Sequence, residues 1–357
     1  MVGCAGALEE GKAEFAARAD SVVLASGGIC GGDLSKVKAN WYAPWGQPPA
    51  NLLNGSHRFA DGLLHDEASN HGAALTHLDK QWHYAAGVHS TSTDSPNDGI
   101  SLVPPRSALW LDARGRRFGP VPLMGYSDTR WVVEQICSTP EQYSWQVLNW
   151  KIAIKELAVS GCDYMTAFRH KQKLRIVRDV LFGNKELAGR LIEESEDFVV
   201  ADTLDELMDK MDGLSLGSVT IDRDRMAADI AAYDAQIARG PKFFNDDQLR
   251  RIAASRHYKA DRLRTCSFQQ IDDPKATPLI AIREFILSRK SLGGLQTDLE
   301  SRVLDTAGTP IPGLYAVGET AGFGGGGIHG KGSLEGTFLG SCVLTGRLAG
   351  RDIGGVS

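Results

Sequence analysis

Gly313-Leu314-Tyr315-Ala316-Val317-Gly318-Glu319-Thr320-Ala321-Gly322, then Gly324-Gly325-Gly326-Gly327-Ile328-His329-Gly330, then Ser333-Leu334-Glu335-Gly336, decides the reading of this chain. A short apolar strand runs into an acidic residue, then into glycines, then into a helix start. Glycines let backbone approach a ligand closely, and the free N–H groups of a helix N-terminus favour negative charge. The pattern predicts a cradle for an extended, phosphate-bearing cofactor. Two further stretches belong with it: Leu292-Gly293-Gly294-Leu295-Gln296-Thr297-Asp298 upstream, and Val22-Val23-Leu24-Ala25-Ser26-Gly27-Gly28 near the start, a small-residue strand end.

These stretches, with Ile311-Pro312-Gly313-Leu314-Tyr315-Ala316-Val317-Gly318-Glu319 and a helix from Leu334 to Gly350, resemble the flavin-binding third of the fumarate reductase and 3-ketosteroid dehydrogenase superfamily. The long string Gly-Gly-Gly-Gly-Ile-His-Gly followed by Ser-Leu-Glu-Gly-Thr-Phe-Leu-Gly is most similar to its steroid-dehydrogenase-like branch. The resemblance thins between Gln135 and Lys275. It implies an α/β fold: a partial two-dinucleotide-binding-fold FAD domain with an inserted α+β cap that holds substrate. The implied cofactor is FAD, on Ala25, Ser26, Gly27, Gly28, Gly293, Gly294, Gly318, Glu319, Ser333, Leu334 and Gly336.

Such a flavoprotein begins with a strand, a G-x-G-x-x-G turn, a helix and an acidic residue roughly 20 positions on. Val2-Gly3-Cys4-Ala5-Gly6-Ala7 imitates the glycines, but no strand precedes them and Glu9 and Glu10 come too soon. The resemblance places residue 1 at an internal hairpin of the family. It implies that the chain lacks the amino-terminal part that grips the ADP half of FAD, as an incomplete gene product, one half of a split enzyme or a mis-started reading frame.

Composition is that of an ordinary globular protein. The 357 residues make two domains the prior, and 42% hydrophobic with 23% charged residues allows a packed core. A net charge of -5 gives no reason to expect nucleic acid or an anionic membrane as partner. Six scattered cysteines form no C-x-x-C pair, so buried free thiols and no metal are expected. Without a leader pattern or a long uncharged apolar run, a cytoplasmic protein with no membrane span is expected.

Pattern then divides the chain. Ser21 to Ala25 reads as a buried strand, and Leu63, Leu64, Ala68 and Ala73 repeat at helical spacing. Ala108 to Phe118 reads as strand, turn and strand, resembling the start of the family's cap. Ser144 to Ser160, Leu204 to Met211 and Arg225 to Arg239 read as helices, the second capped near Asp202 or Thr203 and the third ended by Gly240-Pro241. Pro278 to Arg283 reads as a strand returning to the cofactor domain. The expected organisation is FAD-binding residues 1–80, a cap over 81–278, and FAD-binding residues 279–357.

The resemblance implies the chemistry. Hydride moves between a substrate carbon and flavin N5 while a base takes a proton from the adjacent carbon, and reduced flavin favours a cation or helix N-terminus beside N1. The helix from Leu334, with Gly336 and Gly340 permitting close packing, offers the dipole, and Arg289 or Lys290 the cation. Histidine, with an unperturbed pKa of about 6.5, suits proton transfer or hydrogen bonding near neutrality, so His329 is a candidate beside substrate. Glu319 is expected on ribityl or ribose hydroxyls.

Departures limit the mechanism. Fumarate reductases carry a proton-donating arginine where Ser333 stands, and their second arginine aligns near Pro104, with Arg106 displaced. Ketosteroid dehydrogenases place a tyrosine in the glycine loop, which here has Phe323. Tyr84 and Tyr258 are the replacement candidates, so the catalytic set is Tyr84, Tyr258, Lys290 and His329. Trp82, Tyr84, Trp110, Trp131, Trp145 and Trp150 offer either core packing or a pocket for a bulky apolar substrate. The expected function is an FAD-dependent dehydrogenase acting on a CH–CH bond next to the carbonyl of a small apolar, ketosteroid-like molecule. The alternative is a split, non-catalytic flavoprotein subunit that needs its partner chain.

Overall fold

The computed structural model describes residues 2–7, 13–90, 95, 97–119, 129–160, 164–322 and 336–355. His329, Ser333 and Leu334, with the loop that carries them, lie outside the described residues. The chain forms two compact units, one of residues 1–44, 56–83 and 288–357, the other of residues 45–55 and 84–287.

In the first unit, strand Val22–Leu24 pairs in parallel with Pro310–Ala316, which pairs antiparallel with Arg302–Leu304. The pairing sets Ala316 opposite Leu24, and the Val317 N–H donates to the Leu24 carbonyl at 3.0 Å. Both strands therefore end at the same level, which is where α/β sheets hold ligands. Ala68, Ala73, Leu295, Val303 and Ala316 form a buried core, with Leu24, Leu75, Ile311 and Leu314 packed on it. Helix Leu63–Asn70 turns His65 and Ala68 inward. The expected apolar face is corrected, because Leu63 is 68% exposed and Leu64 43%. Val22–Leu24 is likewise a half-exposed edge strand instead of a buried one. Ahead of it, Val2–Ala7 and Glu14–Ala19 form an antiparallel hairpin. Gly336–Ile353 is a helix, and at Gly340 a side-chain carbon would meet nothing within 4 Å among the described residues.

The second unit is built on an antiparallel sheet in the order Ala158–Val159, Gly99–Val103, Gln81–His89, Leu279–Ser291, Tyr143–Asn149, Leu109–Asp112. Gln81–His89 and Leu279–Ser291 run on from it into the first unit. The first ten residues of Leu279–Ser291 are all buried, so this strand is sheltered on both faces. Ser144–Asn149, expected as helix, is strand. Every residue of Tyr143–Asn149 is buried, so no period-2 alternation marks it, and the aromatic and branched side chains settle into the pleat. The helix begins at Trp150, where the Asn149 side chain accepts the Ile152 N–H at 3.2 Å. Leu204–Leu214 is capped by Thr203, and Arg223–Arg239 by Asp222, ending at Gly240 with φ 86°. Trp110 and Trp145 are core residues, 4% and 0% exposed, and the Trp110 indole donates to Ser144 Oγ at 3.0 Å.

A buried ion network ties the sheet together. The Arg283 Nε and Nη2 donate to Asp197 Oδ1 at 2.9 and 2.8 Å, and its Nη1 donates to the Leu214 carbonyl at 2.6 Å. Asp197 Oδ2 accepts the His89 backbone N–H at 2.7 Å and pairs with His89 Nδ1 at 2.8 Å. The hydrogen bond that His89 donates to Asp197 raises the His89 pKa against the opposing effect of burial. On the same strand Glu284 is wholly buried, and desolvation pushes its carboxyl well above the usual range.

The expected buried thiols are corrected at two positions. Cys30 and Cys137 are buried, whereas Cys4 and Cys342 are exposed.

Candidate active site

Three segments of the first unit meet at the carboxyl ends of its parallel strands: 25–30, 288–294 and 317–322. Hydrogen bonds sew them together. Ser291 Oγ accepts the Ile29 N–H at 2.7 Å, and Ser288 Oγ donates to the Cys30 carbonyl at 2.9 Å. Thr320 Oγ1 donates to the Gly27 carbonyl at 2.9 Å. Glu319 Oε1 accepts the Ser291 N–H at 2.8 Å.

Internal packing also demands the glycines expected to approach cofactor. A side-chain carbon at Gly28 would lie 2.3 Å from Ser291 Oγ and 2.5 Å from Glu319 Oε1. One at Gly293 would lie 2.1 Å from the His77 carbonyl oxygen, and one at Gly294 2.3 Å from that of Thr320. Gly27, with φ 87°, and Gly318, with φ 62°, occupy left-handed backbone that disfavours any side chain. Gly293→Ala is expected to cost about 3 kcal/mol, because the obstruction is backbone and cannot rotate away. Denaturant unfolding checks this, and an unchanged midpoint would contradict the packing.

Charge gathers at the same place. Glu319 lies in the short 3-10 turn Gly318–Ala321, half-buried. Burial raises its pKa, opposed by the Ser291 N–H and by Lys290 and Arg289. Arg289 is itself pulled down by burial, with Glu319 holding it up. Lys290 Nζ sits 4.3 Å from the Phe338 ring centre and 5.7 Å from that of Trp82, whose rings stack at 5.1 Å. Burial, reinforced by Arg289, lowers the Lys290 pKa to about 8. A cation held against aromatic faces keeps its attraction where water is scarce, and this one can gain or lose a proton near neutrality.

Two histidines beside this hub escaped the sequence reading. His65, 1% exposed, donates Nε2–H to the Thr320 carbonyl at 3.0 Å, and burial lowers its pKa. His83, 2% exposed, stacks on Trp41 at 4.8 Å and pairs with Gln81 Oε1 at 2.9 Å; burial drops its pKa to about 3. In both, burial favours the neutral imidazole. The serine before Leu292-Gly293-Gly294 and the threonine after Glu319 were visible in the sequence, but no spacing marks the first as a partner of Glu319 and Ile29 or the second as a partner of Gly27.

Other candidates are placed as follows. Tyr84 follows His83 on strand Gln81–His89 and is half-buried. Tyr258 stands at the start of helix Lys259–Arg264 and is 67% exposed, with no other candidate site residue brought to it among the described residues. Ala25 and Ser26 continue from strand Val22–Leu24 towards Gly27. Gly336 begins helix Gly336–Ile353. Cys30 is a buried thiol pushed up to about 12, chiefly by desolvation, and so is chemically quiet.

The donor set fits a flavin cofactor. Glu319 supplies a carboxylate for ring or ribityl donors, and Arg289 and Lys290 supply two cations for negative charge, all where parallel strands end.

Comparison with known proteins agrees with that chemistry. A family model described as FAD binding domain matches residues 1–339. A KsdD-like steroid dehydrogenase of Mycobacterium tuberculosis is 43% identical over 345 residues, 96% of this chain and 59% of the relative. One from Mycolicibacterium smegmatis is 42% identical over 327 residues, 91% of this chain and again 59% of the relative. The chain thus spans 59% of the length of these relatives. Among solved structures, 3-ketosteroid delta1-dehydrogenase from Sterolibacterium denitrificans, in complex with 1,4-androstadiene-3,17-dione, matches with a TM-score of 0.63 at 16% identity, covering 96% of this chain and 55% of that one. At that identity the likeness speaks to fold alone, and it agrees with the expected α/β flavoprotein architecture. With the family model covering nearly every residue, the chain belongs to the FAD-binding domain family, and its cofactor is FAD.

Proposed function

We propose that this chain carries the flavin hub and cap of an FAD-dependent oxidoreductase acting on a CH–CH bond next to the carbonyl of a ketosteroid-like substrate. The observation that carries the reading is the cluster of Glu319, Arg289 and Lys290 at the ends of the parallel strands, in a chain 43% identical to a KsdD-like steroid dehydrogenase. When bound, a flavin supplies hydride transfer at its N5. The residues of the chain do the rest. Glu319 accepts hydrogen bonds from cofactor hydroxyl or ring N–H groups, and Arg289 and Lys290 meet negative charge as it develops. Tyr84 is the proton acceptor this reading favours; Tyr258 and His329 are its alternatives, and Ser333, Leu334 and Gly336 complete the cofactor contacts. The test is anaerobic addition of a 3-ketosteroid to the FAD-loaded protein. Bleaching of the visible flavin band is expected, and an unaltered band with every 3-ketosteroid tried would contradict the substrate class.

Lys290 gives the reaction a pH signature. Its folded pKa of about 8 lies below the ordinary lysine value, so it holds its proton below pH 8 and sheds it above. Flavin reduction is expected to change across a limb near that pH. Lys290→Met should erase the limb and slow reduction about 10- to 100-fold while sparing FAD binding. A limb that persists in the variant assigns it to another group.

A second reading, that activity requires a partner segment, has its own support. Strand Val22–Leu24 forms the edge of its parallel sheet, and Val23 is 44% exposed. Helix Gly336–Ile353 exposes Leu339, Val343 and Leu344 at 70%, 65% and 57%. An open parallel edge and a bare apolar helix face fit a further strand-and-helix segment, in this or another chain. Recovery of flavin reduction only in a form extended ahead of residue 1, or mixed with a partner, would favour this reading. A cytoplasmic setting belongs to the same proposal, supported by the exposed unpaired thiols Cys4 and Cys342. Among the described residues no helix is long and apolar enough to cross a membrane.

A further inference from the structure

Helix Lys173–Phe182, in the second unit, is amphipathic yet has no buried residue. Leu174, Val177, Leu181 and Phe182 follow the spacing of one helical face and are 89%, 55%, 52% and 73% exposed. Phe168, on the preceding helix Thr166–Arg169, is 53% exposed. A soluble surface seldom leaves so many large apolar side chains side by side.

Charge around this face is one-sided. Between Thr166 and Lys185 stand Arg169, Lys171, Lys173, Arg175, Arg178 and Lys185, against one carboxylate, Asp179. Six cations less one anion give this stretch +5 in a chain of net charge -5. Asp179 pairs with Arg178 at 2.8 Å, and Arg175 pairs with Glu186. Lys171, Lys173 and Lys185 are exposed. Helix Lys259–Arg264 adds exposed Arg262 and Leu263, and Arg262 shares a shallow groove with Leu181 and Phe182.

A bare apolar stripe ringed by lysine and arginine matches the chemistry of an anionic lipid bilayer, which offers acyl chains below a layer of phosphates. We propose that this face docks on such a bilayer. Leu174, Val177, Leu181 and Phe182 enter the boundary between headgroups and acyl chains, while Lys171, Lys173 and Lys185 meet headgroup phosphates. The helix lies in the interface plane, so no spanning segment is required. The helix meets the protein through half-buried Ile176 and Val180, and its exposed apolar face gains its partner on the membrane.

Vesicle flotation tests the proposal with the 357-residue protein. Vesicles of phosphatidylcholine are compared with vesicles of phosphatidylcholine and phosphatidylglycerol. At least tenfold more protein is expected on the anionic vesicles, and high salt should release it. The double variant Leu174→Ser with Phe182→Ser should lose binding to both. Lys171→Glu with Lys173→Glu should abolish the preference for phosphatidylglycerol while keeping the circular dichroism of the parent. Equal binding to both vesicles, or full binding by the Leu174→Ser and Phe182→Ser variant, overturns the proposal. So does a dimer in solution that this variant dissolves while anionic vesicles recruit nothing, because the occupant is then a second copy of the chain.

Discussion

Asp197→Ala is expected to destabilise the second unit by about 3–5 kcal/mol. Asp197 is 0% exposed and accepts four hydrogen bonds, two from Arg283 and two from His89. Its removal leaves the Arg283 guanidinium, 8% exposed, without its counter-charge. The cost is that of an uncompensated buried ion and not the net value of the pair. Asp197→Ala combined with Arg283→Met should therefore recover most of the loss, since a buried pair replaced by apolar groups is often close to neutral. Thermal or urea unfolding reads both. Additive losses in the double variant would contradict the coupling.

The same network gives stability a pH dependence. The pKa of His89 is raised in the folded protein, chiefly by the hydrogen bond it donates to Asp197. The folded state thus binds the proton more tightly than the unfolded one. The contribution is fully present below the unfolded pKa, about 6.5. It fades as pH rises from there through the raised folded value. His89→Gln should flatten that slope, and an unchanged slope would place the linkage elsewhere.

Glu319→Ala carries the second large effect. The Ser291 N–H loses its acceptor, which costs about 1–3 kcal/mol in a half-buried site. Arg289 and Lys290 lose the carboxylate that sustains their charge, so the Lys290 pKa should fall below about 8. For the cofactor, loss of a hydrogen bond to a charged group, about 1.5–3 kcal/mol, means at least tenfold weaker FAD binding. Glu319→Gln separates these effects. Its amide oxygen keeps the Ser291 N–H satisfied, so stability should hold while flavin retention still falls. Equal FAD retention by parent, Ala and Gln proteins would remove Glu319 from the cofactor site.

Much of this was legible in the residues. The parallel pairing of Val22–Leu24 with Pro310–Ala316 joins two stretches that read as strands from their apolar runs and closing glycines. Glu319 follows the second strand as its local pattern required, Thr203 is one of the two caps the sequence offered, and Gly240 ends the helix Arg223–Arg239. What failed did so for physical reasons. Ser144–Asn149 has no period to read because the strand is buried on both faces. The packing of Gly28, Gly293 and Gly294 against Ser291, His77 and Thr320 could not be read either, because only tertiary structure creates those contacts. His65 reaches the hub from 255 residues away, beyond any local signal. Net charge is a global figure. A value of -5 coexists with +5 on residues 166–185, and a surface responds to the local figure.

The central claim is that the hub around Glu319 and Ser291 holds FAD, and retained flavin tests it most directly. Wild-type and Glu319→Ala proteins would be incubated with FAD, freed of excess by desalting, and compared by visible absorption. The expected result is a flavin band in the parent protein that is at least tenfold weaker in the variant under matched conditions. A band of equal strength in both, or no flavin retained by the parent chain or its extended form, would contradict it.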